Sequence, residues 1–96
     1  MPKGYIIAHI DVHDREMFAE FRAASAPVLK EFGATVLVGN PSPEQREGAS
    51  KPMTIVVEFP DVETARRFYD SQGYTEARAV REACADTDLM IVEGIA

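Results

Sequence analysis

The stretch Met53-Thr54-Ile55-Val56-Val57-Glu58-Phe59-Pro60-Asp61, continued by Val62-Glu63-Thr64-Ala65-Arg66-Arg67-Phe68-Tyr69-Asp70-Ser71, decides the fold. Ile55, Val57 and Phe59 alternate with Thr54, Val56 and Glu58, the period of a pleated strand. Pro60 has no N–H to donate and stops the ladder, and Asp61 can accept the free N–H groups of a following helix. That helix runs from Val62 to about Tyr69, with Val62, Ala65, Phe68 and Tyr69 as its apolar stripe. Ser71 starts a further helix through Tyr74, Ala77, Val80, Ala83 and Cys84, so one long helix is broken in two.

Upstream, Tyr5 to Val12 read as a strand with Ile6, Ala8, Ile10 and Val12 on one face and Tyr5, Ile7, His9 and Asp11 on the other. Asp14 caps a helix whose Phe18, Phe21, Ser25, Val28 and Phe32 recur every three or four residues, and Gly33 ends it. Pro27 inside this helix removes one backbone hydrogen bond and predicts a kink. Ala34 to Val38 is a second strand, and the segment from Gly39 to Pro52 is a polar, turn-rich connection. Downstream, Asp86-Thr87-Asp88 reads as a break before a last strand, Leu89 to Gly94.

The resulting order, β-α-β-β-α-β, predicts an α+β, ferredoxin-like fold: a four-stranded antiparallel sheet in the order 4-1-3-2 with the helices on one face. Residues 1–96 form one domain, with no repeat, linker or low-complexity tract. The face away from the helices is expected to carry Ile7, Val56, Leu89 and Ile91, apolar enough to call for a partner. Two such sheets stacked in a symmetric homodimer would cover it and enclose a cavity between them.

Composition narrows the function. With 46% hydrophobic and 27% charged residues the chain is globular. A net charge of -6 and a pI near 4.8 oppose nucleic acid and anionic membrane surfaces as partners. The apolar runs are too short for a membrane span, and the N-terminus lacks the apolar core of a signal peptide, so the expected location is the cytoplasm. The single cysteine, Cys84, agrees with a reducing compartment. It falls in register with Ala77 and Val80 and reads as a small buried residue rather than a nucleophile. No glycine-rich phosphate loop is present.

The opening Lys3-Gly4-Tyr5-Ile6-Ile7-Ala8-His9-Ile10-Asp11-Val12, the Asp14 helix start, Glu58-Phe59-Pro60, Phe68-Tyr69-Asp70-Ser71 with Tyr74, Arg81 and the closing Ile91-Val92-Glu93-Gly94 together resemble domain-of-unknown-function family 1330. The resemblance covers nearly the whole chain and implies a dimeric α+β barrel with no assigned activity. Related barrels include cofactor-free monooxygenases and isomerases, an analogy of fold. The sequence departs from the family pattern at Gly73, where an acidic residue is implied, and in the loop of the 40s, which lacks an aromatic.

Few residues carry chemistry. His9, Asp11 and His13 alternate as metal ligands on one strand would, but the helix start at Asp14 turns the chain near His13, so no metal site is expected. His9, an imidazole titrating near neutral pH, and Glu58, a carboxylate in an otherwise apolar strand, are the candidate catalytic residues. Pairing the middles of strands one and three brings Glu58 to Tyr5, whose hydroxyl can satisfy it. Tyr5, Tyr69, Tyr74 and Arg81 are the candidate ligand-binding residues, and Tyr74 and Arg81 share a helix face from which they can clamp a carboxylate or stack on an aromatic ring. No cofactor is implied. The pattern points to a small cytosolic protein of unassigned activity that binds a small organic molecule between the sheets and works, if catalytic, without a cofactor. The alternative is a non-catalytic dimerisation or protein-interaction module.

Overall fold

The computed structural model describes residues 2–96. The chain runs β1 (Gly4–Val12), α1 (Arg15–Glu31), β2 (Thr35–Asn40), β3 (Met53–Phe59), α2 (Val62–Asp70), α3 (Gln72–Cys84) and β4 (Ala85–Glu93). The sheet order is β2-β3-β1-β4 with every pairing antiparallel, the expected 4-1-3-2 read from the other edge.

Each helix begins where a side chain supplies an acceptor. Asp14 takes the N–H of Met17, Asp61 that of Thr64 and Ser71 that of Tyr74, so backbone donors at all three starts are satisfied locally. The short side-chain and backbone bonds from Thr64 hold the Asp61 carboxyl below the usual carboxylate range. Gly33, at φ 67°, turns the chain out of α1 in a conformation that few other residues adopt cheaply. α1 continues through Pro27, which is exposed, as is Ala23 one turn before it. The carbonyl that Pro27 leaves without a helical partner therefore faces water.

The core fills the space between the helices and one sheet face. Ile6, Ala8 and Ile10 of β1 and Val57 and Phe59 of β3 meet Phe18 and Phe21 of α1 and Ala65, Phe68, Tyr74 and Ala77 of α2 and α3. Phe68 is its centre, with ring centroids 4.5 Å from Tyr74, 5.1 Å from Phe59 and 5.8 Å from Phe32. Gly73 lets α3 close on α1: a Cβ there would lie 2.9 Å from Val28 Cγ2. A side chain at 73, an acidic one included, would require Val28 to shift.

Two expectations are corrected. β4 starts at Ala85, directly after α3, so Asp86-Thr87-Asp88 belongs to the strand: the two aspartates are exposed while Thr87 pairs with Ile10. The alternation is thereby shifted by one from the expected phase. Leu89 and Ile91, paired with Ala8 and Ile6, lie on the helix side, and Met90 and Val92 take their places on the open face. β2 also begins and ends later than expected and carries a bulge between Val36 and Val38.

Candidate functional site

The sheet has two faces of different chemistry. On the open face the register aligns three transverse rows: Thr35, Glu58, Tyr5 and Val92; then Val38, Val56, Ile7 and Met90; then Asn40, Thr54, His9 and Asp88. An apolar row thus lies between two rows that contain polar groups. Tyr5 donates its hydroxyl to Glu58 Oε2 at 3.1 Å, the pairing anticipated from the register. Partial burial and this carboxylate both push the Tyr5 phenol up. His9 Nδ1 lies 3.2 Å from Thr54 Oγ1. Glu58 and His9 are therefore both partnered within the protein.

On the helix side a cavity of about 420 Å³ lies between α1, α3 and the sheet. Its floor is Ile6, Ala8, Ile10, Ile55 and Val57, its roof Phe18, Phe21, Ser25 and Leu29, and its rear wall Phe68, Tyr74 and Arg81. The exposed Arg22 and Ala26 of α1 and Val36, Gly39 and Pro41 at the β2 edge mark its mouth. Small residues make the room: Ala8, Ser25, Ala26 and Gly39 stand where larger side chains would fill it.

Arg81 is 5% exposed, and its Nη1 donates to Tyr74 Oη at 2.5 Å. The guanidinium carbon stands 5.7 Å from the Phe21 ring centroid, within cation-π range. Burial pushes the Tyr74 phenol up despite the opposing charge of Arg81, so Tyr74 is a neutral hydroxyl near pH 7. Burial likewise raises the Cys84 thiol, leaving a protonated sulfur with little nucleophilic character. A second hollow of about 530 Å³, open to solvent and polar, runs along β4 beside Arg81. Tyr69 lines it and accepts a 2.7 Å bond from Arg78 Nη1.

The six candidate residues therefore do not form one cluster. Tyr5, His9 and Glu58 belong to the open face, Tyr74 and Arg81 to the helix-side cavity, and Tyr69 to the outer hollow with Arg81. The cavity lies within the single chain, on the opposite side of the sheet from the expected position between stacked sheets. Arg22, Phe21 and Phe68, which also line it, were not among the sequence candidates; the signal for the space itself was Ala8 on an otherwise bulky strand face.

Near the start of α1, Asp11, His13 and Asp86 bring one ligand atom each within 4.8 Å of one another. His13 and Asp86 are exposed and Asp11 is half-buried, and His13 Nε2 already lies 2.9 Å from Asp86 Oδ2. That bond, with the further charge of Asp11, raises the His13 pKa above its ordinary 6.5. A raised folded-state pKa gives stability that is present below the unfolded value and lost as pH rises through the folded one. The melting temperature should therefore fall slightly as pH rises from below the ordinary histidine value of 6.5 through the raised one, and this increment should vanish in His13→Ala; an identical fall in the variant would show that the pair contributes nothing.

The fold and these features define a ferredoxin-like α+β domain with a ligand-sized apolar cavity between its helices and its sheet. The chain belongs to the family described as domain of unknown function (DUF1330), whose model matches residues 3–95. Among curated proteins none matches the sequence. Similar solved structures include a protein of unknown function from Rhodopseudomonas palustris, with 16% identity, a TM-score of 0.81, and 99% of this chain and 84% of that one covered. SnoaB, a cofactor-independent oxygenase from Streptomyces nogalater, shares 14% identity at a TM-score of 0.71, with 100% and 96% covered. A dimeric ferredoxin-like protein of unknown function from Thermobifida fusca shares 10% identity at 0.65, with 96% and 91% covered. At these identities the likeness is one of fold. Among the described residues no helix is long and apolar enough to cross a membrane.

Proposed function

We propose that the protein is a cytoplasmic homodimer in which each subunit binds a small, mainly apolar organic molecule in the cavity between helices and sheet. The observation that carries this reading is the cavity itself: about 420 Å³, apolar in lining, with Tyr74 and Arg81 as convergent polar groups. Ligand sites commonly combine such a volume with a few polar groups that orient the occupant. The dimer rests on the row Val38, Val56, Ile7 and Met90, an apolar band across all four strands that a second copy would cover. The dimeric relative from Thermobifida fusca supports it. A buried free Cys84 suits a reducing cytoplasm. If the bound molecule reacts, the chemistry is cofactor-free, with the neutral Tyr74 hydroxyl and the Arg81 cation as the groups at hand; SnoaB supports that only by fold.

A second reading, a dimerisation or protein-interaction module without a ligand, is favoured by the internal pairing of Glu58 with Tyr5 and of His9 with Thr54. It makes the open-face polar groups structural.

Native mass spectrometry of protein purified gently from cells separates these readings. The expected spectrum is a dimer carrying extra mass. A bare dimer would favour the second reading, and a monomer would remove the interface from both.

A further inference from the structure

We infer that the molecule bound in the helix-side cavity is a monocarboxylic acid, its carboxylate held by Arg81 and Tyr74 and its apolar body lying over the sheet; this rests on the cavity reading above. Arg81 is 5% exposed and forms none of the protein's ion pairs among the described residues. Its recorded hydrogen bond goes to a neutral phenol, and its Nε is buried without a partner. A guanidinium left this way has no carboxylate beside its buried charge and an unpaired Nε donor, an arrangement costly enough that a partner is expected.

The surroundings fix the sign and size of that partner. In a chain of net charge -6, the cavity lining contains Arg81 and Arg22 and no aspartate or glutamate. The outer hollow, which Arg81 also borders, balances Lys51 and Arg78 against Glu82, Asp86 and Asp88, and two of these carboxylates are already paired, Asp88 with Lys51 and Glu82 with Arg78, so only the helix-side cavity presents cations without carboxylates. Tyr74 accepts from Arg81, which leaves its own proton to donate, so the polar end of the cavity offers donors. One buried cation balances one negative charge. A carboxylate fits that balance and the planar guanidinium, whereas a phosphate near neutral pH brings more charge than one arginine offsets.

Calorimetric titration of the full chain with three probes sharing a naphthyl body tests this: 2-naphthoate, 2-naphthamide and 2-naphthylmethylammonium. Naphthoate is expected to bind about tenfold or more tighter than the amide, with the ammonium weakest, since hydrogen bonds to charged groups contribute more than neutral ones. Arg81→Met, which fills the wall with an uncharged chain, should bind acid and amide alike. Arg81→Lys, which retains the charge but loses the planar fork, should weaken naphthoate severalfold and leave the amide unchanged; it decides the matter if the Met variant does not fold. Equal binding of acid and amide by the native protein overturns the anchor and leaves the cavity reading standing. Failure of all three probes to bind overturns the cavity reading, and the anchor with it.

Discussion

Phe68→Ala is expected to lower the unfolding free energy by about 3–5 kcal/mol, the range for removing a large side chain from a packed core. Phe68 is 2% exposed and stacks on or edges against Phe32, Phe59 and Tyr74, so its ring joins a loop, a strand and both later helices. The cost stays within this range because Phe32, Phe59 and Tyr74 hold the ring from three directions, while its remaining side borders the helix-side cavity. Against a typical domain stability of about 5–15 kcal/mol, the loss would leave the variant marginal. Urea unfolding followed by circular dichroism at fixed protein concentration measures it, and a change below about 1 kcal/mol would contradict this core.

Ile7→Asp is expected to convert the proposed dimer to a folded monomer at micromolar concentration. Ile7 is central to the apolar row, flanked by Val56 and Met90, and in a two-fold assembly the substitution enters the interface twice. Each buried, unpaired carboxylate costs several kcal/mol, whereas in the monomer the same side chain stands partly in water. Sedimentation velocity reads the mass, and an unchanged circular dichroism spectrum shows that the fold persists. A dimer that survives the substitution would place the interface elsewhere.

The elements legible in the sequence are those specified by adjacent residues. Alternation in β1 and β3 and the caps at Asp14, Asp61 and Ser71 are local matters, and each stands as read. β4 was misread at its start because strand phase depends on pairing: Asp86 and Asp88 resemble a break until Val12 and Ile10 are seen opposite Ala85 and Thr87. That slip of one residue exchanged Leu89 and Ile91 for Met90 and Val92 on the open face. The Tyr5 to Glu58 contact was legible because antiparallel register fixes it. The cavity was not, since it is a space left by Ala8, Ser25, Ala26 and Gly39 on three separate elements. Tyr74 and Arg81 could be placed on one helix face, but no pattern in α3 indicates that Arg81 lacks an acidic partner.

The strand order also constrains the sequence of events during synthesis. β1 leaves the ribosome first yet sits between β3 and β4, and β2 meets only β3. The first half of the chain therefore contains two strands that cannot pair with each other in the native sheet. β3 must emerge before either finds a native neighbour, and β1 keeps one edge open until residues up to Glu93 have been made. Sheet closure thus joins β1 to β4 across the intervening elements, a long-range step of the kind that slows folding. Until then, an open β1 bearing the apolar Ile6, Ile7 and Ile10 would be a segment that needs shielding in the nascent protein.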